Sequence, residues 1–178
     1  MDLDPDELAG VCDLFGALTR DELAAAVEEL AFRRGVDFER EAHDAAVESA
    51  REAYVLVVLG ESVRDALADA GVDADPPLVA PGPRAFPVVP DGGTDLPHIL
   101  DVPRRDVPDA AVERAVRARL AAEVAALDDD ADDERAARLL DVTYDAELLT
   151  GGDFSRTRAM LDDGGDGDDG GDDRDGGA

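Results

Sequence analysis

Along the first third of the chain the apolar residues recur at helical spacing, then give way to a short uninterrupted apolar run. Leu8, Val11, Cys12, Phe15 and Leu18 form one stripe, and the helix carrying it opens with Asp4 as N-cap, Pro5 at N1 and Glu7 at N3. A second helix repeats the pattern, with Thr19 as N-cap, Glu22 at N3, and Leu18 and Leu23 placed as a hydrophobic staple. Leu23, Val27, Leu30 and Ala31 face inward, and Arg33-Arg34-Gly35 supplies a basic last turn and a C′ glycine. A third helix is predicted from near Asp37, with Phe38, Ala42, Ala46, Ala50 and Ala53 on its inner side. It runs into Tyr54–Leu59, whose β-branched residues predict a strand.

Three helices followed by a strand predict a winged helix-turn-helix. The second wing strand is expected near Ala85–Val89, after the turn Pro81-Gly82-Pro83, with a short helix inserted over Ser62–Ala70, N-capped by Ser62 and closed by Gly71. Further on, Val112, Val116, Leu120, Val124 and Leu127 form the stripe of a long helix. Asp128–Asp133 ends it, a shorter helix covers Arg135–Leu140, and a last one covers Phe154–Leu161. The expected fold class is mainly α with a small β element: a winged helix-turn-helix-like N-terminal half plus C-terminal helices. The organisation reads as a winged-helix-like domain over residues 1–90, a Pro-rich connector and C-terminal helical segment over 91–161, and an Asp/Gly-rich tail over 162–178. The tail offers no apolar group to offset the entropy of ordering, so disorder is expected there.

Charge changes the picture most. The 178 residues carry 45 acidic against 17 basic side chains, all of the latter arginine, for a formal net charge of -28. A compact body this acidic repels itself in dilute buffer, whereas at ~1 M salt the Debye length falls to ~3 Å and the repulsion is largely screened. The composition therefore points to molar intracellular salt. No apolar run approaches the ~20 residues needed to cross a bilayer, and the acidic N-terminus lacks the basic-then-apolar pattern of a secretory signal. A cytoplasmic location is expected. One cysteine excludes an internal disulfide framework and a multi-cysteine zinc site.

Four stretches carry a resemblance: LTRDELAAAVEELAFRRG, GPRAFPVVPDG, DLPHILDV and LLDVTYDAE. Through them the chain resembles a family of small acidic haloarchaeal proteins of unknown function, over most of residues 6–161. Glu61–Pro77 looks like an insertion relative to that pattern. The resemblance implies a folding unit and a salt-loving host, and no activity.

A winged helix first invites DNA binding, with the third helix as reader. Its expected exposed positions are Glu39, Arg40, Glu41, His43, Asp44, Glu48, Arg51 and Glu52, a poor surface to set on phosphates. Raising salt from ~0.1 to ~3 M would also cost five phosphate contacts about six to seven decades of affinity. Arg40 and Arg51 are the only strong candidates for reading base edges. Arg33-Arg34 reads as helix C-terminal charge, Arg104-Arg105 as a solvated turn, and Arg84 as a salt bridge at a turn.

A hydrolase reading starts from Gly60-Glu61-Ser62-Val63-Arg64, a G-x-S following a strand, with His98 and Asp95 or Asp101 to complete a triad. Arg64 stands where the elbow needs its second glycine, and no oxyanion loop is visible. Metal binding has His98 between Asp95 and Asp101, and His43 beside Asp44, which falls short of a zinc set. The tail segment Gly164–Asp172 resembles one calcium-binding nonapeptide, in a single copy. Cys12 sits on an apolar stripe and reads as an inert buried thiol. No catalytic residue, metal site or cofactor is assigned. The sequence reads best as a non-enzymatic protein-interaction or regulatory module that meets another protein through apolar surface, because packing survives molar salt and charge steering does not. A sequence-specific DNA-binding regulator is the alternative and a serine hydrolase the third.

Overall fold

The computed structural model describes residues 1, 3–127 and 133–163. Helix α1 (Pro5–Phe15) opens with the expected capping box: Glu7 N donates to Asp4 Oδ1 at 2.8 Å, and Asp4 N donates to Glu7 Oε2 at 3.1 Å. Helix α2 (Arg20–Arg34) repeats it between Thr19 and Glu22 and ends on Gly35 in the left-handed region, at φ 67°. Each box satisfies two of the orphan donors of a helix start, which is why these boundaries follow from local sequence. Between the helices lies β1 (Leu18–Thr19), two residues that alternation over so short a span does not reveal.

Helix α3 spans Arg40–Glu52, three residues later than expected, and buries a face turned by about one residue. His43, Val47, Ala50 and then Tyr54 are buried, while Ala42 and Ala53 are exposed. Alanine costs little on either side of a helix, so Val47, Tyr54 and a histidine set against Phe38 (ring centroids 5.5 Å apart) decide the rotation.

Strand β2 (Leu56–Leu59) pairs antiparallel with β3 (Leu78–Pro81), which also pairs with β1, giving the order β1-β3-β2. The strand expected near Ala85–Val89 is therefore at Leu78–Pro81. Pro83, Pro87 and Pro90 remove donors from the later stretch, which instead leaves the sheet and crosses α1: Phe86 N donates to Asp6 Oδ1 at 2.9 Å and Val88 N to the Asp6 carbonyl at 3.0 Å. The Glu61–Pro77 stretch forms a 3-10 turn (Glu61–Val63) and helix α4 (Arg64–Asp69). Ser62 caps neither, and the turn starts from Gly60 with no side-chain cap.

Both faces of the sheet are covered, and the strands alternate accordingly. Leu18, Leu56 and Val79 point into a core built with α1, α2 and α3, joined by Leu96 of the short helix α5 (Leu96–Ile99). Val57, Leu59, Leu78 and Ala80 point into a second core with helices α6 (Asp109–Val124), α7 (Asp133–Thr150) and α8 (Ser155–Asp163). Helix α7 is much longer than the expected Arg135–Leu140. Val142, Thr143 and Ala146 are buried in this core's wall, and the burial outweighs the weak helix propensity of the β-branched pair. Of the expected break at Asp128–Asp133, Asp133 opens α7 and residues 128–132 lie outside the described residues; of the expected disordered tail at 162–178, residues 162–163 close α8 and the rest lie outside the described residues. Among the described residues no helix is long and apolar enough to cross a membrane.

Candidate functional site

Arg40 and Arg51 are both engaged inside the fold. Arg40 Nε donates to both oxygens of Asp44 at 3.1 Å, and its Nη2 donates to Asp21 at 2.8 Å. Arg51 clasps Glu48, with Nε 2.7 Å from Oε1, while the other Glu48 oxygen accepts from Arg20 at 2.8 Å. These two guanidinium groups hold the Glu48 carboxyl down at about 2. The outer face of α3 thus presents Glu41, Asp44, Glu48 and Glu52 with its arginines already neutralised. His43, expected on that face, is buried, and burial lowers its pKa.

The other expected candidates are scattered. Ser62 lies in the turn beneath α6, whereas His98 is exposed on α5 at the opposite face of the sheet, so the two halves of the supposed triad stand on elements of different cores. Burial, helped by the charge of Asp13, pushes the Cys12 thiol up to about 12, leaving no thiolate for chemistry. No cluster of His, Cys, Asp and Glu that could hold a metal occurs among the described residues. Arg33 and Arg34 do more than charge a helix end: they donate to the Gly92 and Asp91 carbonyls and, from Arg33, to Asp95 at 2.9 Å, fastening that loop to α2. Arg105 is not a solvated turn residue but a partly buried partner of Glu22. Arg84 does form a salt bridge, reaching Asp145 of α7 at 3.4 Å.

The least ordinary residue is Tyr54. Among the described residues it is the non-glycine residue with a positive φ, 60°, and it takes the left-handed position after α3 in a Schellman arrangement. Tyr54 N donates to the Arg51 carbonyl at 3.0 Å and Val55 N to the Ala50 carbonyl at 2.9 Å. A Cβ-bearing residue there costs ~1–2 kcal/mol that glycine would not. Its carbonyl presses on Gly82, where no Cβ fits, and accepts from Arg84 N at 3.1 Å. The Arg119 guanidinium stacks 3.6 Å over its ring. The hydroxyl is buried without a hydrogen-bond partner among the described residues. Burial raises its pKa, and the nearby Glu123 carboxylate raises it further without meeting hydrogen-bond geometry.

Tyr54 lines a cavity of about 480 Å³ together with Glu52, Arg84, Glu123, Arg138 and Leu139. Beside it, a second groove of about 510 Å³ runs between the Pro83–Phe86 stretch and α7. Its apolar walls are open to solvent, with Phe86 77 % and Leu148 89 % exposed; Leu149 and Tyr144 extend the strip along the helix. Sequence reasoning missed both features. The one local signal was an apolar i, i+4 pair, Tyr144 and Leu148, outside the buried stripe of α7.

A family model described as "Family of unknown function (DUF7109)" matches residues 6–166. No curated protein and no solved structure matches the chain.

Proposed function

The chain belongs to DUF7109, a family of unknown function, and from that premise we propose that it is a non-enzymatic protein-interaction module on a winged-helix scaffold, working in the salt-rich cytoplasm of a haloarchaeon. What supports the scaffold part of this reading is the order of three helices and three short strands, α4 apart, over the first 81 residues, with the sheet order β1-β3-β2. The observation that carries the reading is the contrast between two surfaces. The reading helix has its arginines tied to Asp21, Asp44 and Glu48, and the wing position is taken by an insert bearing Glu61, Asp65, Asp69, Asp73 and Asp75 against Arg64. The strip of Phe86, Tyr144, Leu148 and Leu149, in contrast, leaves large apolar side chains in water, as docking surfaces do.

Affinity capture from host extract in molar KCl tests this, alongside footprinting on host DNA at the same salt. A protein retained by the wild type and lost with Phe86→Asp and Leu148→Asp, at unchanged circular dichroism, is the expected outcome. The topology itself favours the DNA-binding alternative, and that reading takes over if footprinting finds a protected site that Arg40→Ala and Arg51→Ala abolish. Adaptation to salt has its own check: dialysis from molar to ~0.01 M KCl lengthens the Debye length to ~30 Å and should unfold a chain of net charge -28. An unchanged far-UV spectrum would contradict it.

A further inference from the structure

We propose that the outer edge of β2, from Val58 to Gly60, takes an extended segment of another protein as a fourth strand of the sheet. This is a contact surface separate from the strip at Phe86 and Leu148, and it does not depend on that strip.

The pairing on β2 fixes which backbone groups are left over. Gly82 N donates to the Val55 carbonyl at 2.8 Å, and with the register Val57↔Ala80 and Leu59↔Leu78 the ladder bonds fall on residues 55, 57 and 59. The Val58 N–H and C=O and the Gly60 N–H therefore point away from β3. None of the three has a hydrogen-bond partner among the described residues. The opposite edge of the sheet is closed. There Leu18 pairs with Val79, which turns Ala17 and Thr19 outward, and both are satisfied. The Ala17 carbonyl accepts from Arg105 Nη1 at 3.0 Å, and Thr19 N donates to Glu22 Oε2 at 2.7 Å.

The open edge has room beside it. Gly60 continues the extended backbone, at φ -108° and ψ -145°, and a Cβ added there would meet the Val58 side chain at 4.0 Å and nothing nearer. Both residues are partly exposed and line a groove of about 200 Å³ with Ala115 and Ala118 of α6. Leu56 faces the same way but is fully buried, so the open length starts at Val58. Folded proteins blunt a free edge with charge, proline or cover. Leu56–Leu59 has neither charge nor proline, in a chain of which 35 % of residues are charged. The occupant's chemistry follows from these groups. It is an extended chain whose N–H and C=O groups meet those of Val58 and Gly60, with small or β-branched side chains over Ala115 and Ala118. Main-chain hydrogen bonds and apolar contact need no long-range attraction of charges, so salt screening leaves them in place.

Random nine-residue peptides displayed on phage, panned against the full chain in molar KCl, supply the probe. The expected result is a selected peptide whose binding slows hydrogen exchange at the Val58 and Gly60 amides. Its affinity, read by fluorescence anisotropy, should fall at least about tenfold in Val58→Pro, which removes a hydrogen-bond donor, and should be unchanged in Leu148→Asp. Proline is tolerated on an edge strand where the N–H faces out, so the circular dichroism of Val58→Pro should match the wild type. A second measurement leaves the protein untouched: the peptide is N-methylated at alternate residues in either of the two registers. One register should bind wild type at least about tenfold more weakly than the other, because only alternate amides face β2. Recovery of no peptide, unslowed exchange at Val58 and Gly60, or equal binding by the two N-methylated registers would overturn the proposal. So would a dimer in sedimentation equilibrium that Val58→Pro dissolves, which would give the edge to a second copy of this chain.

Discussion

Replacing Gly10 by alanine is expected to destabilise the protein by about 2–3 kcal/mol, the overpacking range, although Gly→Ala inside a helix ordinarily stabilises by ~1 kcal/mol. Gly10 is buried in α1 where the proline-rich stretch after the sheet crosses the helix. An alanine Cβ would lie inside the Val88 carbonyl group and 2.9 Å from Val89 N. Both are backbone atoms and cannot swing aside. The crossing is pinned by the hydrogen bonds from Phe86 N and Val88 N to Asp6, one turn before Gly10, so relief requires lifting this stretch and losing them. Gly35→Ala serves as contrast: Gly35 has φ 67° with nothing within 4 Å of an added Cβ, and only the backbone strain of ~1–2 kcal/mol should appear. Denaturant unfolding in molar KCl reads both. A Gly10→Ala variant as stable as the wild type would mean that the crossing is not where the fold puts it.

Arg105→Ala should cost a comparable ~2–3 kcal/mol. Removing one partner of a fully buried ion pair costs ~3–5 kcal/mol, and the figure here is smaller because Arg105 and Glu22 keep 14 % and 23 % side-chain exposure. The guanidinium meets Glu22 through two bonds, Nη1 to Oε2 at 2.8 Å and Nη2 to Oε1 at 2.9 Å, and Nη1 also donates to the Ala17 carbonyl at 3.0 Å. Glu22 simultaneously closes the cap of α2 by accepting from Thr19 N at 2.7 Å. One arginine therefore ties the connector after α5 to the start of α2. Burial alone would raise the Glu22 pKa, but the hydrogen bonds from Arg105 and Thr19 outweigh it and hold the carboxyl below its ordinary 4.5. A carboxyl lowered on folding contributes stability that is fully present above the unfolded value and lost as pH falls through the folded one. Wild-type stability should therefore decline below about pH 4.5, with a shallower slope in Arg105→Ala. Equal slopes from pH 5 to 2 would remove the coupling.

How much was legible depends on the distance over which each cause acts. Both capping boxes, the Gly35 stop and the stripes of α1, α2 and α6 were readable, because the groups that make them are within four residues of one another. The inner face of α3 was not. Its alanines at 42, 46, 50 and 53 suggest a stripe, but alanine hardly distinguishes core from water, and Val47 and Tyr54 carry the choice. The left-handed Tyr54 has no local signal at all, since that position usually announces itself by glycine. It is held by Arg119, 65 positions away, and by room at Gly82.

By itself the sequence determined the net charge, where the first helices begin, and the mainly helical class, since charge, caps and periodicity are properties of neighbouring residues or of simple sums. Arg40–Asp44 and Arg51–Glu48 are i,i+4 and i,i+3 pairs that helical spacing already allows; only the tertiary structure decided that Arg40 also reaches Asp21 and Glu48 also holds Arg20, that Arg105 is a partly buried clamp, and that a cavity opens beside Tyr54. Each of these depends on which side chains meet across the fold, and those encounters are set by packing both faces of the sheet, a contact pattern that no local spacing encodes.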